Sequence, residues 1–166
     1  MTSNLMQGKR GLIMGLANDK SIAWGIAKSL ADAGAELAFS YQGEALKKRV
    51  DPLAASLGSD TVLPCDVSDM DSVDQLFTDL AAKWGKLDFI VHAIGFSDKN
   101  ELRGRYVDTS RQNFLTSMDI SVYSFTAVVN LCRSDQNARG FGHRRLPLHP
   151  EMERVELAFA PDRDHR

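Results

Sequence analysis

Gly15, Ser21 and Gln42 are the first residues whose type and place could do chemistry. Gly15 closes the apolar run "RGLIM" (Arg10–Met14), and Ser21 opens a stretch in which Ile22, Ile26 and Leu30 recur every four residues. A glycine ahead of a helix N-terminus lets backbone approach a phosphate, and the free N–H groups of the first turn supply partial positive charge. The usual G-x-G-x-x-G spacing is absent, so these residues alone fit a tight turn as well as a phosphate site. Gln42 follows a second apolar run, "AELAFSY". An acidic residue there would ordinarily hold an adenosine ribose; a glutamine can still bond a hydroxyl, or can simply be solvated. His92 within "LDFIVHAIG" and Cys65 within "TVLPCDV" read as core residues, and Trp24 and Trp84 as packing residues. Cys65 and Cys132 are the only cysteines, too few for a disulfide framework or a metal site, so no metal is expected.

These residues need elements to hold them. Four apolar runs, at 10–14, 35–41, 61–67 and 87–95, read as buried strands. The helix from Ile22 has Ser21 as its N-cap and Gly34 just past its end. Ala45, Val50, Leu53, Ala54 and Leu57 predict a second helix stopped by Gly58. Ser68 with Asp71 resembles a capping box, and Val73, Leu76, Phe77, Leu80 and Trp84 trace a third helix closed by Gly85. A polar loop reaches about Thr109, and a long helix through Phe114, Leu115, Met118 and Ile120 runs to Val129. Four alternations of strand and helix predict an α/β, Rossmann-like, doubly wound parallel sheet covered on both faces.

A chain of 166 residues with 43% apolar content and a formal charge of −2 is of ordinary globular composition. That balance suggests neither nucleic acid nor a membrane surface as partner. No uninterrupted apolar run reaches the ~18 residues of a span. The N-terminus lacks the regions of a signal peptide, which makes the cytoplasm the expected location. The composition changes near Leu131. All eight lysines precede residue 100, whereas 131–166 hold seven arginines, three of four histidines and three of five prolines.

"GLANDKSIAWGIAKSLADAGAELAFSYQ", "LPCDVSD", "DFIVHAIGF" and "DISVYSFTAVV" resemble, in order and spacing, the NADH-dependent enoyl-[acyl-carrier-protein] reductases, divergent short-chain dehydrogenases of bacterial type II fatty acid synthesis. The resemblance covers about residues 5 to 129. It implies NADH/NAD as cofactor and a trans-2-enoyl thioester on acyl carrier protein as substrate. It places Gly15, Ser21 and Ile22 at the pyrophosphate and Gln42 near the adenosine ribose. Asp66 would flank the adenine through its carboxylate and Val67 through backbone, although an aspartate there can also just cap a turn. Ile94 and Gly95 would border the nicotinamide ribose, and Ser97 the start of the substrate pocket. The family's strand order, 3-2-1-4-5-6-7, and its common homotetramer are implied as well.

The sequence departs from that family at the reacting end. The family's catalytic pair is a tyrosine with a lysine seven positions later, beyond a fifth strand. The one literal match, Tyr41 and Lys48, follows the second strand, on the adenosine side. Tyr106 and Tyr123 have Asn113 and Asn130 at that offset, and no lysine follows Lys99. No catalytic residue is therefore assigned. A coding DNA can be written for 131–166 that, read one nucleotide late, gives S-A-G-P-I-K-T and D-F-R-Y-I-L-K-W-N-E, like the family's own downstream segment. This predicts an incomplete dinucleotide-binding domain at 1–130, with about four of seven strands, and an out-of-frame, poorly packed tail at 131–166. The functional expectation is a reductase by family whose present chain lacks turnover. The alternatives are a non-catalytic NAD-binding module and a non-functional fragment.

Overall fold

A computed structural model describes residues 4–132 of the chain. The change in composition after Leu131, and the expectation of a poorly packed tail, fall almost wholly outside them.

The apolar runs form β1 (Arg10–Met14), β2 (Glu36–Tyr41), β3 (Val62–Pro64) and β4 (Phe89–His92), one sheet in the order β3-β2-β1-β4 with every pairing parallel. Successive strand residues point to opposite faces. Leu12, Met14 and Ala38 therefore join one core, and Ile13, Leu37 and Phe39 another. The helices α1 (Ile22–Asp32) and α2 (Gly43–Ser56) cover the second core through Ala23, Ala27, Val50 and Ala54. The first core is covered by α3 (Met70–Trp84) and by a long helix made of α4 (Arg111–Met118), a π turn (Asp119–Tyr123) and α5 (Ser124–Cys132). A parallel sheet buried on both faces is the doubly wound architecture the alternation predicts. Among the described residues β4 pairs with β1 alone and so forms an edge.

Helix ends follow their local chemistry. After α1, Gly34 takes φ +96°, a conformation that costs a residue without a side chain little. Its N–H reaches the Ala31 carbonyl and that of Ala35 the Leu30 carbonyl, so two terminal carbonyls are satisfied. At the start of α3 the cap is Asp69, whose carboxylate accepts from the Asp71 N–H, rather than Ser68. Ser68 is instead drawn to the Asp66 carboxylate.

Two other expectations need correction. The third and fourth strands are shorter than their apolar runs: the last bonds to the neighbouring strands come from the Cys65 and Ala93 N–H groups, and 66–67 and 94–95 run on as loops. In α1 the small Ala23 and Ala27 are buried while Ile22 is exposed, and in α2 Ala45 is exposed. The long helix forms where the sequence places it, and its facing is what the structure adds. Phe114, Leu115 and Met118 face outward, whereas Asn113 and Ser124 are buried with Ala127 and Val128. The stretch 111–131 is long and apolar enough to cross a membrane by length and composition alone. Only 17% of that stretch is buried, and it joins the core cluster of Leu12 and Met14 through Val128, with Ile120 and Leu131 packed against it.

Candidate functional site

The residues read as binding cofactor or substrate cluster after the carboxyl ends of the strands, Ser21 and Ile22 at the start of the helix that follows β1. Gly15 follows β1, Gln42 follows β2, Asp66 and Val67 come just after β3, and Ile94, Gly95 and Ser97 come after β4. Parallel strands bring all four ends to one edge of the sheet. The chain runs outward from β1 to β3 and then crosses back to β4, so the order reverses between β1 and β4. Ligands of open α/β sheets bind at such a reversal.

Gly15 sits at that point. Its φ is +93°, and a Cβ there would run into the Ala93 carbonyl and crowd the Ile94 N–H, 3.0 Å away. Any side chain would push apart the β1 and β4 turns. Beyond Gly15, Leu16 plugs the core at 1% exposure, which fixes the turn leading to α1. Ser21 holds the N-cap position, as the sequence predicts, but its hydroxyl donates to the Asn18 carbonyl at 2.7 Å and caps nothing. The first turn of α1 is thus left without a side-chain cap, and its positive end is available to an anion. Ile22, at 44% exposure, stands beside it as an apolar surface.

Gln42 and Asp66 meet across β2 and β3, the amide Nε2 donating to Asp66 Oδ2 at 3.3 Å. Asp66 Oδ1 accepts both the N–H and the hydroxyl of Ser68, at 3.0 and 2.6 Å. The turn-capping role of this aspartate is therefore real. The Ser68 hydroxyl, more than any other partner, holds the carboxyl below the usual aspartate range. Burial opposes this, and the Ser68 N–H and Gln42 amide add to it. A carboxylate has about four acceptor positions. Three are taken here, which leaves Oδ2 able to accept once more. Val67 buries its side chain, leaving only backbone on the open side. Cys65 is buried and its thiol pushed up to about 12 by burial, with Asp66 and Asp69 adding to the shift, so it is no nucleophile.

On the other side, the loop after β4 is fastened to the long helix. His92 is buried, with Nε2 2.9 Å from the Ser124 hydroxyl. That hydroxyl spends its hydrogen on the Ile120 carbonyl at 2.6 Å, so the imidazole must be the donor. Burial lowers the pKa of His92, consistent with a neutral core histidine. Gly95 is exposed, and Ser97 exchanges hydrogen bonds with Asn113. Asn113, Ser121 and Ser124 were not singled out in the sequence. Their signal is a polar stripe, Asn113, Ser117, Ser121 and Ser124, at helical spacing.

Tyr41 ends β2 and Lys48 lies on α2, with β1 standing between β2 and β4. The literal Tyr-x₆-Lys match is thus separated from the β4 loop by a full strand.

The donor set suits an adenine dinucleotide: an uncapped helix start for the pyrophosphate, a paired amide and carboxylate for adenosine, and a close-packed turn between them. Comparison with known proteins bears on the family. A family model described as enoyl-(acyl carrier protein) reductase matches residues 15–143. Enoyl-[acyl-carrier-protein] reductase [NADH] 1 of Rhizobium meliloti is 66% identical over 126 residues, which are 76% of this chain and 46% of that protein. The corresponding reductase of Rickettsia typhi is 52% identical over 148 residues, 89% of this chain and 56% of its own. A crystal structure of an enoyl-(acyl-carrier-protein) reductase from Anaplasma phagocytophilum in complex with NAD is 64% identical, with a TM-score of 0.74 over 78% of this chain and 50% of that one. The chain spans about half the length of the relatives it matches.

Proposed function

The chain belongs to the enoyl-(acyl carrier protein) reductase family, and from that premise we propose that it binds NADH or NAD along the carboxyl edge of its sheet. The observation that carries this is the convergence of Gly15, the uncapped start of α1, the Gln42–Asp66 pair and the 94–97 loop on the carboxyl edge of the sheet, flanking the β1–β4 reversal. The pyrophosphate lies against Ser21 and Ile22. Gln42 and Asp66 hold adenosine, Asp66 through its remaining acceptor position and Val67 through backbone. Ile94 and Gly95 border the nicotinamide ribose, and Ser97 the acyl side.

Bound NADH would supply hydride chemistry, which in the family reduces a trans-2-enoyl thioester carried on acyl carrier protein. The residues assigned here bind and orient; none of them is placed to move a proton to or from the substrate. His92 is buried behind Ser124, and Cys65 is held as a thiol. We therefore assign cofactor binding to this polypeptide and expect no turnover from its 166 residues alone, since Tyr-x₆-Lys occurs only at Tyr41 and Lys48. Residues 1–130 are the dinucleotide-binding part, in the cytoplasm by family.

Two measurements test this. Calorimetric titration with NADH gives one saturable site on this reading; absence of heat removes it. An enoyl thioester with NADH shows no steady loss of NADH absorbance; sustained oxidation would overturn the assignment of binding without turnover.

A further inference from the structure

The geometry points to Ser121 and Asn113 as positioning residues that hold the nicotinamide-side wall of the cleft in place, independently of the adenosine side. This rests on the binding reading above. Ser121 lies in the π turn, and such turns recur at functional sites. Its hydroxyl accepts from the Phe96 N–H at 2.9 Å and donates to the Phe96 carbonyl at 3.2 Å. One side chain thereby fixes both backbone groups of a residue 25 positions away. Asn113, at 7% exposure, does the same one step further on. Its Oδ1 accepts from the Asp98 N–H at 2.9 Å, and its Nδ2 donates to the Ser97 hydroxyl at 3.1 Å.

The bonded segment, 96–98, has no sheet partner, and Phe96 and Asp98 are exposed. Little apolar burial holds it. An exposed loop with few packed contacts opens readily unless polar contacts tie it down. These two side chains therefore set how rigidly Ile94 and Gly95, just upstream, are presented. No bond runs from either of them to the Gln42–Asp66 pair, which is braced by Ser68. The two ends of the cleft are held by separate sets of contacts, so they can be loosened separately.

Ser121→Ala tests this with two ligands. NADH spans both ends of the cleft and AMP only the adenosine end. Losing the two bonds to Phe96 should weaken NADH by up to about thirtyfold, at roughly tenfold per 1.4 kcal/mol and near 1 kcal/mol net per bond. AMP binding should stay unchanged, the Phe96 amide should exchange faster, and Ser121→Thr should restore NADH binding. Equal loss for both ligands, or no loss for either, would overturn the inference while leaving the binding reading intact. Failure of the unsubstituted chain to bind NADH would remove the binding reading, and the inference with it. Asn113→Ala risks unfolding because its site is buried. Ser97→Ala removes the Ser97 side of the Asn113 contact without altering the buried amide, and should show a smaller loss with the same NADH-only selectivity.

Discussion

The third helix and the long helix at 111–132 cover the same face of the sheet and bury opposite kinds of residue. α3 turns Val73, Leu76, Phe77, Leu80 and Trp84 inward and its polar residues outward. The long helix turns Asn113 and Ser124 inward and leaves Phe114, Leu115, Met118, Val122 and Tyr123 exposed, joining the apolar core through Val128, with Ile120 and Leu131 packed against it. α3 is held by apolar burial, whereas the first half of the long helix is held to the β4 loop by hydrogen bonds. One helix makes the sheet stable; the other shapes a loop.

That contrast can be broken by substitution. Leu80 is fully buried, so Leu80→Ala should cost about 2–5 kcal/mol in urea unfolding, from lost transfer energy and the cavity left behind. Met118→Ala, on the outward face of the other helix, should fall within about 0.5 kcal/mol of the unsubstituted chain. Comparable losses would erase the distinction.

Gly15→Ala probes the junction between the regions. Its positive φ and the crowding by Ala93 and Ile94 should cost about 1–3 kcal/mol of stability. NADH binding should fall with it, because the β1 turn must move. Asp66→Ala acts on the ligand more than on the fold. The carboxylate is partly exposed and its Ser68 contacts are local, so unfolding should change little while NADH affinity drops by about tenfold, the equivalent of ~1.4 kcal/mol.

The smallest effect is a pH slope from His92. Its folded pKa lies below the ordinary 6.5 because burial disfavours the charged ring. The unfolded chain then takes up the proton first as pH falls, so stability should decline as pH drops below about 6.5 and be flat for this group above it. His92→Gln should flatten that slope, read from urea midpoints across the range; an unchanged slope would contradict the buried neutral ring.

The same contrast explains what the sequence revealed. β1, β2 and α3 were legible because apolar residues recur at the spacing of their element, and only one face of each pattern can enter the core. The four strand-end positions were legible for the same reason: once the strands were placed, Gly15, Gln42, Asp66 and Ile94 had to lie at their carboxyl ends. The orientation of the long helix was not. Periodicity finds an apolar stripe but cannot tell whether it meets the core or solvent, and here Asn113 and Ser124 take the inner place because His92 and the 96–98 loop present polar groups to them. The α3 cap moved from Ser68 to Asp69 for a related reason, since Ser68 had a stronger local partner in Asp66.

The account turns on where a dinucleotide lies, and amide chemical-shift mapping with NAD tests that most directly. It predicts shifts at Gly15, Ser21 to Ala23, Gln42, Asp66, Val67, Ile94 and Gly95, all at the carboxyl edge of the sheet. Shifts gathered instead around Arg10, Glu36 and Asp88, at the opposite ends of the strands, would contradict it.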